Sequence, residues 1–176
     1  MKVLIIAATD FEVTSEKIRE FTLIISGVGM VNTAINLTKE LLKNDYDLVI
    51  NMGVAGSFSE DISPGEVVEV IDERFSEIGF EDGNRFKEFT GLNICNSYKV
   101  EGKTNLKKVK SITVNTVHGN ENSIQEIVKR LNPDVESMEG AAVFQVCENF
   151  GVPCVQIRSI SNKVEKRNKA SYYSFR

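Results

Sequence analysis

The sequence predicts an α/β fold in which helices cover a mostly parallel β-sheet. Short apolar runs alternate along the chain with segments whose apolar residues recur at helical spacing. The runs are continuously apolar, as in strands buried on both faces, and strands that alternate with helices form largely parallel sheets. The 176 residues, 41% of them apolar, are enough for one domain with a sizeable core. We therefore expect a single domain over residues 1–176.

Six segments are short and apolar enough to be predicted as buried strands. They are residues 3–8, 21–26, 48–52, 67–71, 112–117 and 154–160. Residues 79–106 are instead rich in Gly, Asn and Lys and show weak periodicity. We predict a hairpin or a mobile insertion there.

Three further segments are predicted to be helices: residues 31–43, 124–131 and 138–150. The first places most of its apolar residues on one helical face. The second is predicted to open with a capping box formed by Ser123 and Glu126 and to stop at Asn132, which precedes Pro133. Gly151 is predicted to end the third helix.

Composition and charge exclude several classes of protein. The net charge is −4, without the basic excess typical of nucleic-acid binding. No apolar run approaches the roughly 18 residues of a membrane span, and no signal-peptide pattern is present, so we expect a cytoplasmic protein. The three cysteines, Cys95, Cys147 and Cys154, indicate neither a disulfide framework nor a zinc site. The only histidine, His118, is predicted to make a structural hydrogen bond rather than to bind a metal.

Candidate functional residues follow several of the predicted strands. Ligands bind outside the carboxyl ends of the strands in open α/β sheets. Residues 9–12, 53–57 and 158–162 occupy that position, and residues 137–140 open a helix that can face the same edge. Each motif alone has a plainer interpretation, such as a tight glycine turn or a carboxylate in the first turn of a helix. Their convergence on one edge is what predicts a site.

The pair Gly27 and Gly29 allows a second interpretation. It follows a strand and opens a helix, as in dinucleotide-binding motifs, and Asp47 falls about twenty residues later, where a ribose-binding acid is expected. Asn32 replaces the third glycine of that motif. A tight turn is therefore favoured, with a dinucleotide-binding oxidoreductase as the alternative.

Five ordered motifs resemble those of the nucleoside phosphorylase and nucleosidase family. They are Ala-Ala-Thr-Asp-Phe-Glu at 7–12, Ser-Gly-Val-Gly-Met at 26–30, Asn-Met-Gly-Val-Ala-Gly at 51–56, Glu-Ser-Met-Glu at 136–139 and Arg-Ser-Ile-Ser-Asn at 158–162. The resemblance runs from residue 1 to about residue 171. Residues 65–68, 74–83 and 158–167 are most similar to the futalosine hydrolase branch of the family.

The resemblance implies a three-layer α/β/α fold with a central, mostly parallel mixed sheet. It also implies hydrolysis of the N-glycosidic bond of futalosine to hypoxanthine and dehypoxanthine futalosine, a step towards menaquinone, with no metal or organic cofactor. The implied partners are this small nucleoside and further copies of the chain, in a dimer or larger homo-oligomer. Nucleic acid and membrane are not expected as partners.

The resemblance further implies a role for each site residue. Cleavage of an N-glycoside passes through an oxocarbenium-like state, which needs nearby negative charge and a positioned water. Glu12 is the expected general base for that water, and Glu139 is expected to accept hydrogen bonds from the ribose hydroxyls. Met138 is expected to pack against the sugar, while Ala55 and Gly56 let the backbone approach it.

Asn162 stands where adenine-releasing members of the family carry Asp. An amide cannot supply a proton, but it offers both a donor and an acceptor, which suits a 6-oxopurine. Arg158 is expected to help hold the water or the distal benzoate of the substrate, and Arg74 is a second candidate for the benzoate. A phosphorylase binds phosphate through several arginines, and few arginines precede Arg74. Water is therefore the expected nucleophile, with phosphorolysis as the alternative to hydrolysis.

The C-terminal segment departs from the family pattern. Family members continue past the Arg-Ser-Ile-Ser-Asn motif into a long helix, whereas residues 172–176 read Tyr-Tyr-Ser-Phe-Arg. We therefore expect the domain to lack that helix. This leaves another purine nucleosidase or an inert nucleoside-binding remnant as further alternatives to a futalosine hydrolase.

Overall fold

The computed structural model describes residues 1–83, 85–89, 92 and 94–166, apart from the side chain of Arg19. The segment on which the missing helix is predicted, residues 167–176, lies outside this description. The described strands are β1 (Val3–Ala7), β2 (Thr22–Ile25), β3 (Leu48–Ser57), β4 (Val67–Phe75), β5 (Phe80–Asp82), β6 (Arg85–Lys87), β7 (Ser97–Lys99), β8 (Lys107–Thr113), β9 (Val135–Ser137) and β10 (Cys154–Lys163). The α-helices are α1 (Met30–Leu41), α2 (Glu121–Leu131) and α3 (Gly140–Phe150).

Eight of these strands form one mixed sheet, in the order β10-β4-β8-β9-β3-β1-β2 with β7 added beside β4. The pairs β1–β2, β1–β3, β3–β10, β4–β8 and β8–β9 are parallel, and the pairs β4–β10, β3–β9 and β4–β7 are antiparallel. Because β10 pairs with both β3 and β4, five strands close into a ring. The predicted mostly parallel mixed sheet is confirmed.

Helices cover both faces of this sheet. Leu37 of α1 and Phe144 of α3 share one core cluster with Leu4 of β1. On the opposite face, Ile127 of α2 packs against Ile112 of β8. A third cluster, made of Ala55, Ile62, Val68, Val70, Val109, Val135 and Ile160, comes mainly from the strands of the closed ring. The layers are thus helices, sheet and helix, as predicted.

The glycine-rich segment 53–57 is strand rather than the predicted turn. It continues β3, and β10 pairs with it from Arg158 opposite Gly53 to Lys163 opposite Ser57. A neighbouring strand along the full length supplies the hydrogen-bond partners that keep this segment extended.

Other element boundaries also differ from the prediction. β8 covers residues 107–113 instead of 112–117, and the short β9 precedes α3, which therefore begins at Gly140 instead of residue 138. The predicted capping box at Ser123 is wrong, because the side chain of Asn120 caps α2 by accepting from the amides of Asn122 and Ser123. The helix ends at Asn132 and Gly151 are confirmed, both in the left-handed conformation.

The predicted hairpin between residues 79 and 106 is confirmed as β5 paired with β6. The same segment also contains β7, a strand that the sequence did not indicate. Within the described residues, no helix is both long and apolar enough to cross a membrane.

Candidate active site

Several of the predicted site residues lie at one edge of the sheet. β1, β2, β3 and β10 are mutually parallel, so their carboxyl ends meet at that edge. Glu12 follows β1 in a short 3-10 helix, Gly27 and Gly29 follow β2, and Arg158 lies in β10. The predicted convergence on the carboxyl edge is therefore observed for these segments.

Glu12 is held by the backbone of two neighbouring elements. Its Oε2 accepts a hydrogen bond from the amide of Thr9 at 2.8 Å, and its Oε1 accepts one from the amide of Val54 at 3.1 Å. The first contact closes a capping box on the 3-10 helix Asp10–Glu12, and the second ties the carboxylate to β3. The half-buried carboxylate is thereby fixed on the sheet edge instead of swinging in solvent.

Arg158 faces Glu12 across Gly53. A Cβ atom placed on Gly53 would lie 2.5 Å from Nη1 of Arg158 and 2.8 Å from Oε1 of Glu12. A glycine is therefore required for the guanidinium and the carboxylate to approach the same point. Arg158 is only 1% exposed, and its Nε and Nη2 donate to no atom of the described residues. A buried donor without a partner costs about 1–3 kcal/mol, which is tolerated at functional sites.

Glu139 reaches the loop that follows β2. It precedes α3, and its Oε1 accepts a hydrogen bond from the amide of Gly29 at 2.9 Å. Gly27 and Gly29 have φ angles of +82° and +93°, which favour glycine, so the tight-turn interpretation of this pair is confirmed. Asp47 accepts from the amide of Lys2 at the opposite edge of the sheet. The dinucleotide alternative is therefore wrong, because its ribose-binding acid is far from the glycine turn.

Asn162 belongs to a cross-strand row with Gly56 and Glu136. Gly56 of β3 pairs with Asn162 on one side and with Glu136 of β9 on the other. The amide of Asn162 is used locally, since Nδ2 donates to the carbonyl of Lys163 at 2.7 Å and Oδ1 accepts from the hydroxyl of Ser161 at 2.8 Å. Within the part of the chain that the structure describes, no hydrogen bond joins it to Glu12, Glu139 or Arg158.

His118 lies behind this row and contacts a carboxylate, as predicted for a structural hydrogen bond. Its Nδ1 is 2.5 Å from Oε2 of Glu136, and its amide donates to Oε1 of the same carboxylate at 2.9 Å. The side chain of Phe58 packs against the imidazole edge to face. His118 and Glu136 are therefore held as one rigid pair.

The side chains of Ala55 and Met138 contribute to the core. Ala55 is buried in the cluster of the closed ring, while Met138 is half-buried and packs against the cluster of Ile112, Val114 and Ile127. The backbone of Ala55 is engaged as well, because its carbonyl accepts from the hydroxyl of Ser161.

Arg74, the second candidate for a distal carboxylate, lies away from this edge. β4 runs antiparallel to β10, so Arg74 lies beyond the end of β10 that is opposite to Asn162. Its Nη2 donates to Glu88 at 2.5 Å. This ion pair occupies Arg74 and argues against that role.

A buried polar network that the sequence did not indicate lies around Glu73. Glu73 of β4 is fully buried and accepts hydrogen bonds from Nε2 of Gln156 at 2.7 Å and from the hydroxyl of Thr113 at 3.1 Å. Burial raises the pKa of Glu73, although the hydrogen bond from Gln156 and the nearby charge of Arg158 act in the opposite direction. The even spacing of Gln156 and Arg158 along β10 is the one sequence signal that could have placed them on the same face.

Among the residues that the structure describes, no group of three or more His, Cys, Asp or Glu side chains has the arrangement of a metal site.

Comparison of the chain with known proteins identifies the family to which it belongs. Residues 6–173 match the model of the family described as the Phosphorylase superfamily. The 5'-methylthioadenosine/S-adenosylhomocysteine nucleosidases of Marinomonas sp. (strain MWYL1) and Geobacillus sp. (strain WCH70) are each 30% identical to the chain, over 97% of its length and 80% of theirs.

Two solved structures show the same fold. A futalosine hydrolase of Helicobacter pylori strain 26695 superposes with a TM-score of 0.84 at 20% identity, over 99% of this chain and 90% of that one. The 5'-methylthioadenosine/S-adenosylhomocysteine nucleosidase of Colwellia psychrerythraea 34H, in complex with adenine, gives a TM-score of 0.79 at 21% identity, over 98% of this chain and 86% of that one. The chain therefore belongs to the phosphorylase superfamily, in the family of the 5'-methylthioadenosine/S-adenosylhomocysteine nucleosidases.

Proposed function

We propose that the protein hydrolyses the N-glycosidic bond of a purine nucleoside, and that its substrate is futalosine. The observation that carries the proposal is the approach of Glu12 and Arg158 to one point above Gly53. A carboxylate and a guanidinium on either side of one point can hold a water molecule, the first as acceptor and the second as donor. Relatives named as nucleosidases support the same chemistry.

In this reaction Glu12 is the general base. Its carboxylate accepts the proton of the attacking water, and the amides of Thr9 and Val54 keep it in position for that transfer. Arg158 donates to the same water. Because the guanidinium is buried, its hydrogen bonds are stronger than they would be in solvent.

Glu139 binds the sugar in this proposal. Among the described residues, the hydrogen bond to Glu139 is that from Gly29 to Oε1, which leaves Oε2 to accept from the ribose hydroxyls. A negative charge beside the ribose also favours the positive charge that develops on the ring as the bond to the base breaks. Met138, Ala55 and Gly56 would shape the sugar side of the site.

Asn162 supports a 6-oxopurine as the leaving group. N7 and O6 of hypoxanthine accept hydrogen bonds and N1–H donates one, which matches an amide that has both functions. Contact with the base requires the amide of Asn162 to leave its present partners, Lys163 and Ser161. Hypoxanthine also leaves more readily than adenine because its charge delocalises onto O6.

Methylthioadenosine is the competing substrate, since the relatives at 30% identity are named for it. The first experiment therefore measures base release in phosphate-free buffer from futalosine, inosine and methylthioadenosine. Release of hypoxanthine from futalosine alone supports the proposal, and release of adenine contradicts the substrate. A rate that depends on phosphate, with ribose-1-phosphate as product, would favour phosphorolysis. No base from any substrate would favour an inert nucleoside-binding chain.

A substitution tests the role of Asn162. We expect Asn162→Asp to shift the ratio of rates from hypoxanthine towards adenine release by about tenfold or more, because the carboxyl group can protonate N7. Ser161→Ala is the matched control, since it removes a neighbouring contact of Asn162 without changing the group that faces the base. Equal ratios in the wild type and in Asn162→Asp would remove the argument for a 6-oxopurine. The homo-oligomer and the cytoplasmic location stay predictions.

A further inference from the structure

Glu73 is a fully buried carboxylate that the proposed reaction does not use. It accepts three hydrogen bonds, from Nε2 of Gln156 at 2.7 Å, the hydroxyl of Thr113 at 3.1 Å and the amide of Arg74 at 3.1 Å. In each of these contacts the partner is the donor. These three donors fix both oxygens of the carboxyl group, since Oε2 contacts Gln156 and Oε1 contacts Thr113 and the amide of Arg74.

Arg158 lies two residues after Gln156 on the same strand, β10. Arg158 makes no ion pair with any carboxylate among the described residues, and its charge acts to lower the pKa of Glu73, although burial dominates and raises that pKa. The hydrogen bond from Gln156 therefore ties Glu73 to the part of β10 that presents Arg158 beside Gly53.

The same network reaches two further elements of the site. Thr113 accepts from the amide of Ala141 at 2.7 Å, in the first turn of α3 and two residues after Glu139. Gln156 accepts from Nδ2 of Asn51 at 3.1 Å, on the strand that carries Gly53. Glu73 thus connects β10, β3 and the start of α3, which present Arg158, Gly53 and Glu139.

The packing around Glu73 leaves no room for adjustment. A Cβ atom on Gly140 would overlap Oε2 of Glu73 and would lie 2.6 Å from Nε2 of Gln156. The orientation of the Gln156 amide is also fixed, because its oxygen accepts from Asn51 and its nitrogen must then donate to Glu73. Only an acceptor at position 73 completes this arrangement.

We infer that Glu73 is a positioning residue of the active site, which holds Arg158 beside Glu12 and anchors the start of α3. The inference rests on the proposed function, because it assigns Glu73 a part in that reaction. Glu73 acts through Arg158 and does not touch the substrate.

The test compares Glu73→Gln with Glu69→Gln. Glu69 lies on the same strand, is 1% exposed and also accepts only from donors, but its partners Lys103, Thr104 and Lys108 make no hydrogen bond to Glu12, Glu139 or Arg158 among the described residues. Assays of base release, run well below both melting temperatures, should show a kcat at least about tenfold lower for Glu73→Gln and within about twofold of the wild type for Glu69→Gln. KM should change less than kcat for Glu73→Gln.

Two further measurements separate positioning from general damage. In an Arg158→Met background, Glu73→Gln should lower kcat by no more than about twofold, because the residue through which it acts is gone. An additional tenfold loss there, or equal kcat values for Glu73→Gln and Glu69→Gln, would overturn the inference. If Glu73→Gln does not fold, Gln156→Met removes the 2.7 Å bond to Glu73 together with the bond from Asn51, and an unchanged kcat in that variant contradicts the inference.

Hydrogen exchange distinguishes this inference from the proposed function. The amide of Ala141 and the amides of β10 should exchange faster in Glu73→Gln than in Glu69→Gln. A wild-type chain that releases no base refutes the proposed function, and the exchange rates still show whether Glu73 anchors these elements. Equal exchange rates in the two variants would show that it does not.

Discussion

Two buried glutamates, Glu69 and Glu73, lie on the same strand, β4, but differ in the charge of the groups that donate to them. Glu69 pairs with a cation, Nζ of Lys108, at 2.6 Å, and three further donors complete its shell. Among the described residues, Glu73 has only neutral donors in contact, and Nε and Nη2 of Arg158 have no partner.

The pKa values of the two carboxyl groups diverge accordingly. Burial raises the pKa of Glu69, but the hydrogen bonds from Lys108, Thr104 and the amide of Lys103 outweigh it and lower the pKa to about 2. Burial dominates at Glu73 and raises its pKa. A complete ion pair stabilises the fold, whereas a charge whose partner is incompletely satisfied marks a place where function takes precedence.

The largest expected effect comes from filling the space beside Glu73. Gly140→Ala places a methyl group against Glu73 and Gln156, neither of which can move without breaking the network. We expect a loss of about 3 kcal/mol or more in the free energy of unfolding, together with loss of activity. Denaturant unfolding and base release measure both.

A glycine beside the other glutamate is the matched control. A Cβ atom on Gly102 would overlap Cε of Lys108, which is the far end of a flexible side chain. Gly102→Ala should therefore lower the free energy of unfolding by less than about 1 kcal/mol. Equal losses for the two variants would mean that the Glu73 network is no more rigid than the pair of Glu69 and Lys108.

The second prediction concerns pH. Folding lowers the pKa of Glu69 from 4.5 to about 2, which corresponds to about 3 kcal/mol of stability that is present above pH 4.5 and is lost as the pH falls towards 2. The raised pKa of Glu73 has the opposite sign, since its ionisation makes the folded state less stable as the pH rises above 4.5.

Unfolding free energies from pH 3 to 7 test this contrast. The free energy of unfolding of the wild type, relative to that of Glu69→Gln, should increase as the pH rises from 3 to 5. Relative to Glu73→Gln, the free energy of unfolding of the wild type should instead decrease as the pH rises above 4.5. Slopes of the same sign for both variants would contradict the two environments described for these carboxyl groups.

The smallest expected effect compares two threonines. Thr113→Val leaves the buried amide of Ala141 without an acceptor and removes one donor from Glu73, so we expect a loss of about 1–2 kcal/mol. Thr104→Val removes one of several donors to Glu69 near the surface, and we expect less than about 1 kcal/mol. Thermal unfolding of both variants measures the difference, and a larger loss for Thr104→Val would reverse it.

Most of the fold was predictable because its central strands are apolar runs. The prediction failed where tertiary pairing decides the structure. Residues 53–57 contain two glycines and became strand only because β10 lies beside them, and β9 has three residues, too few to show a period. Asn120 was missed as the cap of α2 because Ser123 and Glu126 match the same pattern three residues later.

The candidate site was predictable in part. Glu12, Glu139 and Arg158 follow from motifs next to strand ends, and the structure brings Glu12 and Arg158 together. Glu73 was not predictable, since a charged residue in a strand is normally expected to face solvent. It is buried only because β10 and α3, encoded more than sixty positions later, close over β4.

The ring of strands has a consequence for how the chain is made. The hydrogen bond between Asn51 and Gln156 joins residues 105 positions apart. During synthesis, β3 therefore cannot pair with β10 until about 105 further residues have been added. At ribosomal rates of about 5–20 residues per second, this delay is roughly 5–20 seconds. During that time β3 and β4 emerge with open edges that other chains can pair with. A nascent chain of this protein is therefore most exposed to aggregation just before its last described strand leaves the ribosome.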